Sequence, residues 1–561
     1  MRHAMARAWK TTVLLIATCI GCVPAAGQSM EPGDSHASWC VIESGHGALK
    51  GGALIAHEVL SVAPVEMFEQ EPVLPNETLE DAQRIPISHY YPRYIVRGTL
   101  PGIYAGYFDV DFYRVDLDPG DVLSMRVVPM VQESSLDPML SLLRERDSGT
   151  NYGQVFKSNI YGTFSGAYPP GSPLLTTRDE SGRVIHLNTA VSEFVAQQSI
   201  TLYLRVTTLQ GSRHRDYAFE LMLLRPSLEG ERSCDVQKIF LDFDGHDLNV
   251  RDTFGFGSNA SLSPMRDFLG AWGLTPDDED ELLDGVVDRV TENLASALVS
   301  YRGAEILVLN SRDHADPGDD PLTTRVVVGG TRHEIGLHSS TQAIGLAQSI
   351  DPGNFVHDEV AVVLLDSLSS DCSAEEASDP DHPCTMLEHE ASLANVEYAP
   401  GFSRLEGVAR GLGNIVSHEL AHLLGAWHSD PTNGQRRVMD SGWTSLRENI
   451  YGVGLDGILG SEDDQIPSFE SDSYDPSSSI HRKYLGSSGV QFVSARLASA
   501  LADSSDSCSA DLNGDSRVDG ADLGILLGAW GEGGCPYDLN SDARVDTHEL
   551  RMVIEQWGVC P

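Results

Sequence analysis

Basic charge is scarce in this chain. Against 82 Asp and Glu there are only 38 Lys and Arg, a formal charge of −44 over 561 residues. No basic stripe exists to neutralise phosphates, which argues against DNA or RNA as a partner. Long apolar runs are missing after the N-terminus, so no later stretch reads as a transmembrane span. Cysteine is sparse, nine in all. Beyond Cys19 and Cys22 no Cys-x-x-Cys pair occurs, which argues against a cysteine zinc cluster. What is present suffices for folding. Hydrophobic residues make up 41%, a globular composition rather than a disordered one. At roughly 100–200 residues per domain, three or four domains are expected. The acidic excess favours solubility and cation binding, although most of these carboxylates read as solvated surface.

Arg2, Arg7 and Lys10 precede an apolar run from Val13 to Val23 and then Pro24-Ala25-Ala26-Gly27. This order is that of a secretory signal over residues 1–27. The mature chain is therefore expected to be secreted or extracellular. Ile20-Gly21-Cys22 offers an alternative, a cell-surface lipoprotein lipidated at Cys22. In an oxidising compartment the remaining cysteines default to disulfides. Cys372 and Cys384 bracket a polar, acidic loop and are the favoured pair. Residues 28–74 lack firm periodicity and read as a leader or linker. Cys40, within it, could block a metal site in a latent precursor, but nothing around it supports that.

From Asn76 the texture becomes that of a β-domain, 75–226. Tyr113, Val115 and Leu117 alternate with Phe112, Arg114 and Asp116. Leu123, Met125 and Val127 repeat the pattern, as do Leu202, Leu204 and Val206, and Tyr217, Phe219, Leu221 and Leu223. Period-two alternation between Gly- and Pro-rich turns predicts half-buried antiparallel strands and hence a sandwich. The stretch resembles the bacterial pre-peptidase C-terminal domain. Asn76-Glu77-Thr78-Leu79-Glu80-Asp81-Ala82, Gly98, Asp109-Val110-Asp111-Phe112-Tyr113-Arg114-Val115 and Pro119-Gly120-Asp121 carry the likeness. It implies a non-catalytic companion of a secreted peptidase. A plain β-sandwich spacer is the competing reading. No chemical constellation lies within it.

After Pro226 the pattern turns to mixed α/β, with a domain expected over 235–490. Ile239 to Phe243, Ile306 to Leu309, Val326 to Val328 and Val360 to Leu365 read as strands. Leu283, Val287, Val290, Leu294 and Leu298 form one helical stripe. Such alternation predicts a sheet with helices packed on it. Residues 491–507 read as a linker.

Five His-Glu dipeptides occur, at His57, His333, His389, His418 and His548. Only His418 has a second histidine four residues on, in His418-Glu419-Leu420-Ala421-His422-Leu423-Leu424-Gly425-Ala426-Trp427-His428. On a helix, His418 and His422 share a face and can present both imidazoles to one metal. Glu419, one position on, is placed to act as a base on a water at that metal. Gly425 can end the helix in the left-handed region and turn the chain. His428 then returns as a third ligand, leaving a fourth position open, as catalytic zinc requires.

This stretch is similar to the metzincin zinc metallopeptidases, whose long motif is His-Glu-x-x-His-x-x-Gly-x-x-His. The resemblance implies that His418, His422 and His428 hold Zn2+, that Glu419 is the general base, and that Met439 forms the floor of the site. Met439 stands 11 residues after His428, in Val438-Met439-Asp440-Ser441-Gly442. No Tyr lies two residues after Met439, so a further tyrosine ligand is not supported. Asp430 reads either as an orienting group or as surface. The loop Asp456 to Asp464 reads as solvated or as an acidic calcium loop.

The C-terminus carries a tandem repeat. Asp511, Asn513, Asp515, Asp519 and Asp522 occupy positions 1, 3, 5, 9 and 12 of a calcium loop, and the carbonyl of Arg517 falls at position 7. Asp538, Asn540, Asp542, Asp546 and Glu549, with the carbonyl of Arg544, repeat this 27 residues later. Ser516 and Ala543 replace the usual Gly at position 6. The pair resembles a type I dockerin over residues 508–561, which implies Ca2+ and a cohesin-like partner. A self-contained calcium-stabilised cap is the competing reading.

The fold expected is multidomain: a β-sandwich accessory domain, an α/β metzincin-like catalytic domain and a small α-helical module of paired calcium loops. The function expected is a secreted zinc-dependent endopeptidase acting on protein or peptide substrate. The alternative is a non-catalytic extracellular binding or scaffold protein assembled through its dockerin-like end. A third class, a non-peptidase zinc hydrolase, fits less well with the Gly, the third His and the Met turn.

Overall fold

The computed structural model describes residues 40–42 and 62–559, less 70–75, 132–135, 146–151, 160–167, 177–184, 209–215, 225–236, 299–306, 339–342, 379–383, 442–445, 476–488, 502–509, 513–516, 532–536, 538–543 and shorter breaks. The signal segment 1–27 and Cys22 lie outside the described residues. So do Asp511, Asn513, Asp515, Asp538, Asn540 and Asp542. The chain is multidomain and rich in β-sheet, with helices concentrated after residue 250.

Two five-stranded sheets form the first unit. One runs Tyr152–Asn159, Pro138–Glu145, Ile200–Thr208, Asp111–Leu117, Gln83–Arg84. The other runs Ala190–Val195, Val122–Pro129, Asp216–Leu224, Arg93–Thr99, Val65–Phe68. Tyr113, Val115 and Leu117 point inward from the first, and Phe219 and Leu221 from the second, into one core. The alternation along these strands thus converts into a two-layer structure. Val65–Phe68 pairs parallel with Arg93–Thr99, so the unit takes in a strand from before residue 75.

The second unit is built on a six-stranded sheet, ordered Cys40–Ile42, Gly345–Ala347, Val360–Val363, Thr323–Val328, Lys238–Asp242, Leu307–Asn310. The last four are parallel to one another, while Gly345–Ala347 runs antiparallel to Val360–Val363. Cys40–Ile42 lies parallel on the outer edge of Gly345–Ala347. Helices Glu279–Leu298 and Arg404–Leu423 bury their apolar stripes on one face, against Ile239, Leu241, Val326 and Val363. The opposite face is covered by Phe254, Leu262 and Ile335, which pack on Val327 and Val362.

The two helices are also tied by polar groups. Arg289 Nε and Asn293 Nδ2 donate to Asn414 Oδ1 at 2.7 and 3.0 Å, and Asn293 Nδ2 donates to Ser417 Oγ at 2.9 Å. Buried polar groups satisfied in this way fix the register of one helix on the other. The segment expected as a linker contains helix Val493–Leu501. Its Val493, Leu497 and Leu501 recur every fourth residue and pack into the same core, which is why it folds onto the domain.

Cys372 and Cys384 are joined by a disulfide, with Cα atoms 6.0 Å apart. At the C-terminus, helices Gly520–Gly528 and Thr547–Glu555 enclose a small core of Val518, Leu526, Val545 and Val553. Arg517–Val518 pairs with Gly558–Val559. Among the described residues, no helix is long and apolar enough to cross a membrane.

Candidate metal centre

Helix Arg404–Leu423 begins at Ser403, whose hydroxyl accepts from Glu406 N, an N-cap that satisfies one of the helix's orphan amides. Apart from half-buried Arg410 it is buried from Gly407 to Leu423, so His418 and His422 face protein rather than solvent. At its end Gly425 takes φ 91° and lies against the backbone of Pro352, where a Cβ has no room. That turn returns the chain and buries His428 beside the other two histidines.

The three imidazoles converge. His422 Nε2 stands 3.1 Å from His418 Nε2 and 3.2 Å from His428 Nε2. Two nitrogens held 2.0–2.1 Å from a tetrahedral zinc stand roughly 3.3 Å apart, close to this spacing. The outer nitrogens are held by backbone carbonyls: His418 Nδ1 pairs with Val438 O at 2.6 Å and His422 Nδ1 with Ala426 O at 2.7 Å. A carbonyl only accepts, so each Nδ1 carries the proton and each Nε2 presents its lone pair inward. Burial, and then the neighbouring histidines, push His418 and His422 well below the usual imidazole range. Both therefore stay neutral, the form a metal binds.

Glu419, the residue after His418, is fully buried. Its carboxylate lies against the backbone of Gly345, so closely that any side chain there would collide with it. Gly345 belongs to Gly345–Ala347, the strand that pairs with Cys40–Ile42. Glu419 thus sits between the helix and the second strand of the sheet. Met439 is fully buried, and its carbonyl accepts from Ser429 N at 2.7 Å, tying the Met turn to the residue after His428. Asp430 accepts from Thr432 N and Oγ1 at 2.9 and 2.6 Å, so it shapes a turn.

Two other acidic clusters behave differently. Asp242, His246 and Asp316 stand close together, but Arg325 bridges Asp242 and Asp316, and its guanidinium already supplies the cation. In the loop 456–464, Asp464 accepts from Gly460 N at 2.7 Å and Arg410 at 3.2 Å. Asp463 accepts from Leu455 N at 2.7 Å and Ser461 Oγ at 2.6 Å. These carboxylates tie the loop together with protein donors.

At the C-terminus, Asp519 and Asp546 cap the two helices, and Asp522 and Glu549 return the bond to the cap amides at 2.7 and 2.6 Å. Asp522 and Glu549 are fully buried, and Glu549 Oε1 has no hydrogen-bond partner. Arg517 opens the short strand Arg517–Val518, and both Arg517 and Arg544 are exposed.

The sequence reading missed what holds the end of the histidine-bearing helix in place. Gln491, Glu193 and Arg496 all contact the segment Gly425–Trp427. They lie 64, 234 and 71 residues from their partners there, and no local pattern marks such contacts.

No protein-family model and no curated protein matches the chain. Among solved structures, a periplasmic inhibitor of g-type lysozyme, PliG from Aeromonas hydrophila, is 6% identical. It covers 28% of this chain and 99% of its own, with a TM-score of 0.15. CorA, a surface-associated copper-binding protein of Methylomicrobium album BG8, is 9% identical. It covers 26% of this chain and 98% of its own, with a TM-score of 0.18. Likenesses this slight carry no argument about fold or function.

Proposed function

We propose that the chain is an exported, zinc-dependent endopeptidase of the metzincin type. The observation that carries this reading is three buried Nε2 atoms at metal-ligand spacing, with a buried carboxylate on the residue that follows His418. When bound there, zinc polarises a peptide carbonyl and lowers the pKa of a water molecule toward ~7. The chain's own groups do the rest. His418, His422 and His428 orient through the carbonyls and the Met turn described above. Glu419 takes a proton from the attacking water and delivers it to the leaving amine. Strand Gly345–Ala347 beside Glu419 has its outer side paired with Cys40–Ile42 of the chain itself, the position an extended peptide takes when it adds to a sheet edge. A scaffold protein has no use for the base, so the carboxylate favours the enzyme over the binding-protein alternative. The test is metal analysis of the mature protein with casein or gelatin cleavage, with and without chelator. One zinc per chain and chelator-sensitive cleavage are expected; zinc without cleavage of any protein or peptide tested favours the scaffold.

The C-terminal module we read as a dockerin-like calcium module, with a cohesin-like domain as its partner. The buried free oxygen of Glu549 supports this, since a buried carboxylate oxygen without a donor calls for a cation or a proton. Six further oxygens assigned to calcium lie on residues outside the described ones. Helical circular dichroism of residues 508–561 is expected to rise when calcium is added, because the acidic loops repel themselves without it. An unchanged spectrum at millimolar calcium rejects the calcium reading.

A further inference from the structure

The segment Gly425–His428 does two jobs in the metal centre. It carries His428, and through Ala426 O it fixes the proton of His422 on Nδ1. A segment of four residues after a glycine turn cannot hold such a position by itself. Its contacts lead into the β-sandwich. Trp427 is 1% exposed, and its indole belongs to the sandwich core, set edge-on to Tyr168 with ring centroids 6.4 Å apart. Glu193, on strand Ala190–Val195 of the sandwich, receives three donors. These are Trp427 Nε1 at 3.3 Å, Tyr168 OH at 2.7 Å and Arg496 Nη2 at 2.8 Å. Arg496 in turn donates through Nη1 to Gly425 O at 3.0 Å. Gln491 completes the frame, accepting from Trp427 N at 2.5 Å and donating to Trp427 O at 2.6 Å.

Glu193 and Arg496 are each 5% exposed. A buried ion pair is a weak source of stability, because desolvating two charges consumes most of their attraction. Its directional bonds, however, set geometry, and here two of them reach one short segment, Trp427 Nε1 to Glu193 and Arg496 Nη1 to Gly425 O.

We infer that Glu193 is a positioning residue of the metal centre, acting through Trp427 and Arg496, and that the sandwich is thereby a structural part of the site. This rests on the zinc reading. Groups that orient metal ligands from behind commonly alter affinity about 10–100-fold when changed. The sequence treats the sandwich as a companion domain, whereas this contact makes the two units interdependent.

The experiment uses the full chain loaded with zinc or with cobalt(II), whose visible spectrum reports ligand geometry. Glu193→Gln keeps the size and removes the charge; Trp427→Phe keeps an aromatic ring but removes the indole N–H together with part of the buried ring volume. Both are expected to weaken metal binding, Glu193→Gln by about 10–100-fold, and to shift the cobalt spectrum. Leu204→Ala, in the sandwich core on a strand of the sheet that does not carry Glu193, should lower the melting temperature and leave affinity and spectrum unchanged. Wild-type affinity and spectrum in a folded Glu193→Gln protein overturn the inference while leaving the zinc reading intact. Should Glu193→Gln fail to fold, Trp427→Phe decides by the same criteria. A wild-type chain that binds neither zinc nor cobalt overturns both.

Discussion

Glu419→Gln is expected to keep its fold and its zinc but to lose turnover by about 10²–10⁴-fold, the range for a missing general base. The argument starts from shape. Glutamine has nearly the outline of glutamate, so it still fits the slot against Gly345, where no Cβ could be accommodated. The three histidines are held by Val438 O, Ala426 O and the Met turn, none of which the substitution touches. Metal binding should therefore survive. What disappears is a group able to accept a proton, since an amide cannot take one from water near neutral pH. The loss belongs in kcat, with KM little changed, because the proton moves in the transition state. Zinc content, a melting curve and steady-state cleavage of a peptide measure the three quantities. Cleavage at the wild-type rate with zinc bound refutes the role given to Glu419.

How much of this was legible depends on distance along the chain. The convergence of the histidines announces itself because His418, Glu419, His422, Gly425 and His428 lie within 11 residues, on one helix and the glycine turn that follows it. The sandwich strands are legible where one face is buried and the other is not, as at Tyr113, Val115 and Leu117. Val122–Pro129 is less so. Ser124 sits where solvent was expected, yet it is buried because its hydroxyl accepts from Leu175 N at 2.7 Å. The strand Gly345–Ala347 escaped notice. Three small or apolar residues give no period, and its importance comes from the carboxylate that its glycine admits. Helix Val493–Leu501 had the right spacing but followed a Ser- and Asp-rich stretch, and composition outweighed period. Glu193 and Arg496 are 303 residues apart. A salt bridge that long in sequence and buried in space leaves no trace in either local segment.

Removing the metal should separate the ligands from the base. His422 is the central ligand, within 3.1–3.2 Å of both partners through the same nitrogen. His422→Ala deletes that nitrogen, leaves two ligands too few to hold zinc firmly, and frees Ala426 O from its partner. The protein is expected to purify without zinc and without activity, which Glu419→Gln is not. Stability gives an independent reading. A metal that binds only the folded chain stabilises it by about 2.7 kcal/mol when its free concentration is 100 times Kd. At roughly 2–4 °C per kcal/mol for a unit of this size, chelator should lower the wild-type melting midpoint by roughly 5–10 °C. Glu419→Gln should show the same drop. His422→Ala should melt at or below the midpoint of the chelated wild type and should not respond to chelator at all, having no metal to lose. A chelator response retained in His422→Ala, with calcium held constant throughout, would mean that the stabilising metal sits elsewhere, and the three histidines would lose their assignment as its ligands.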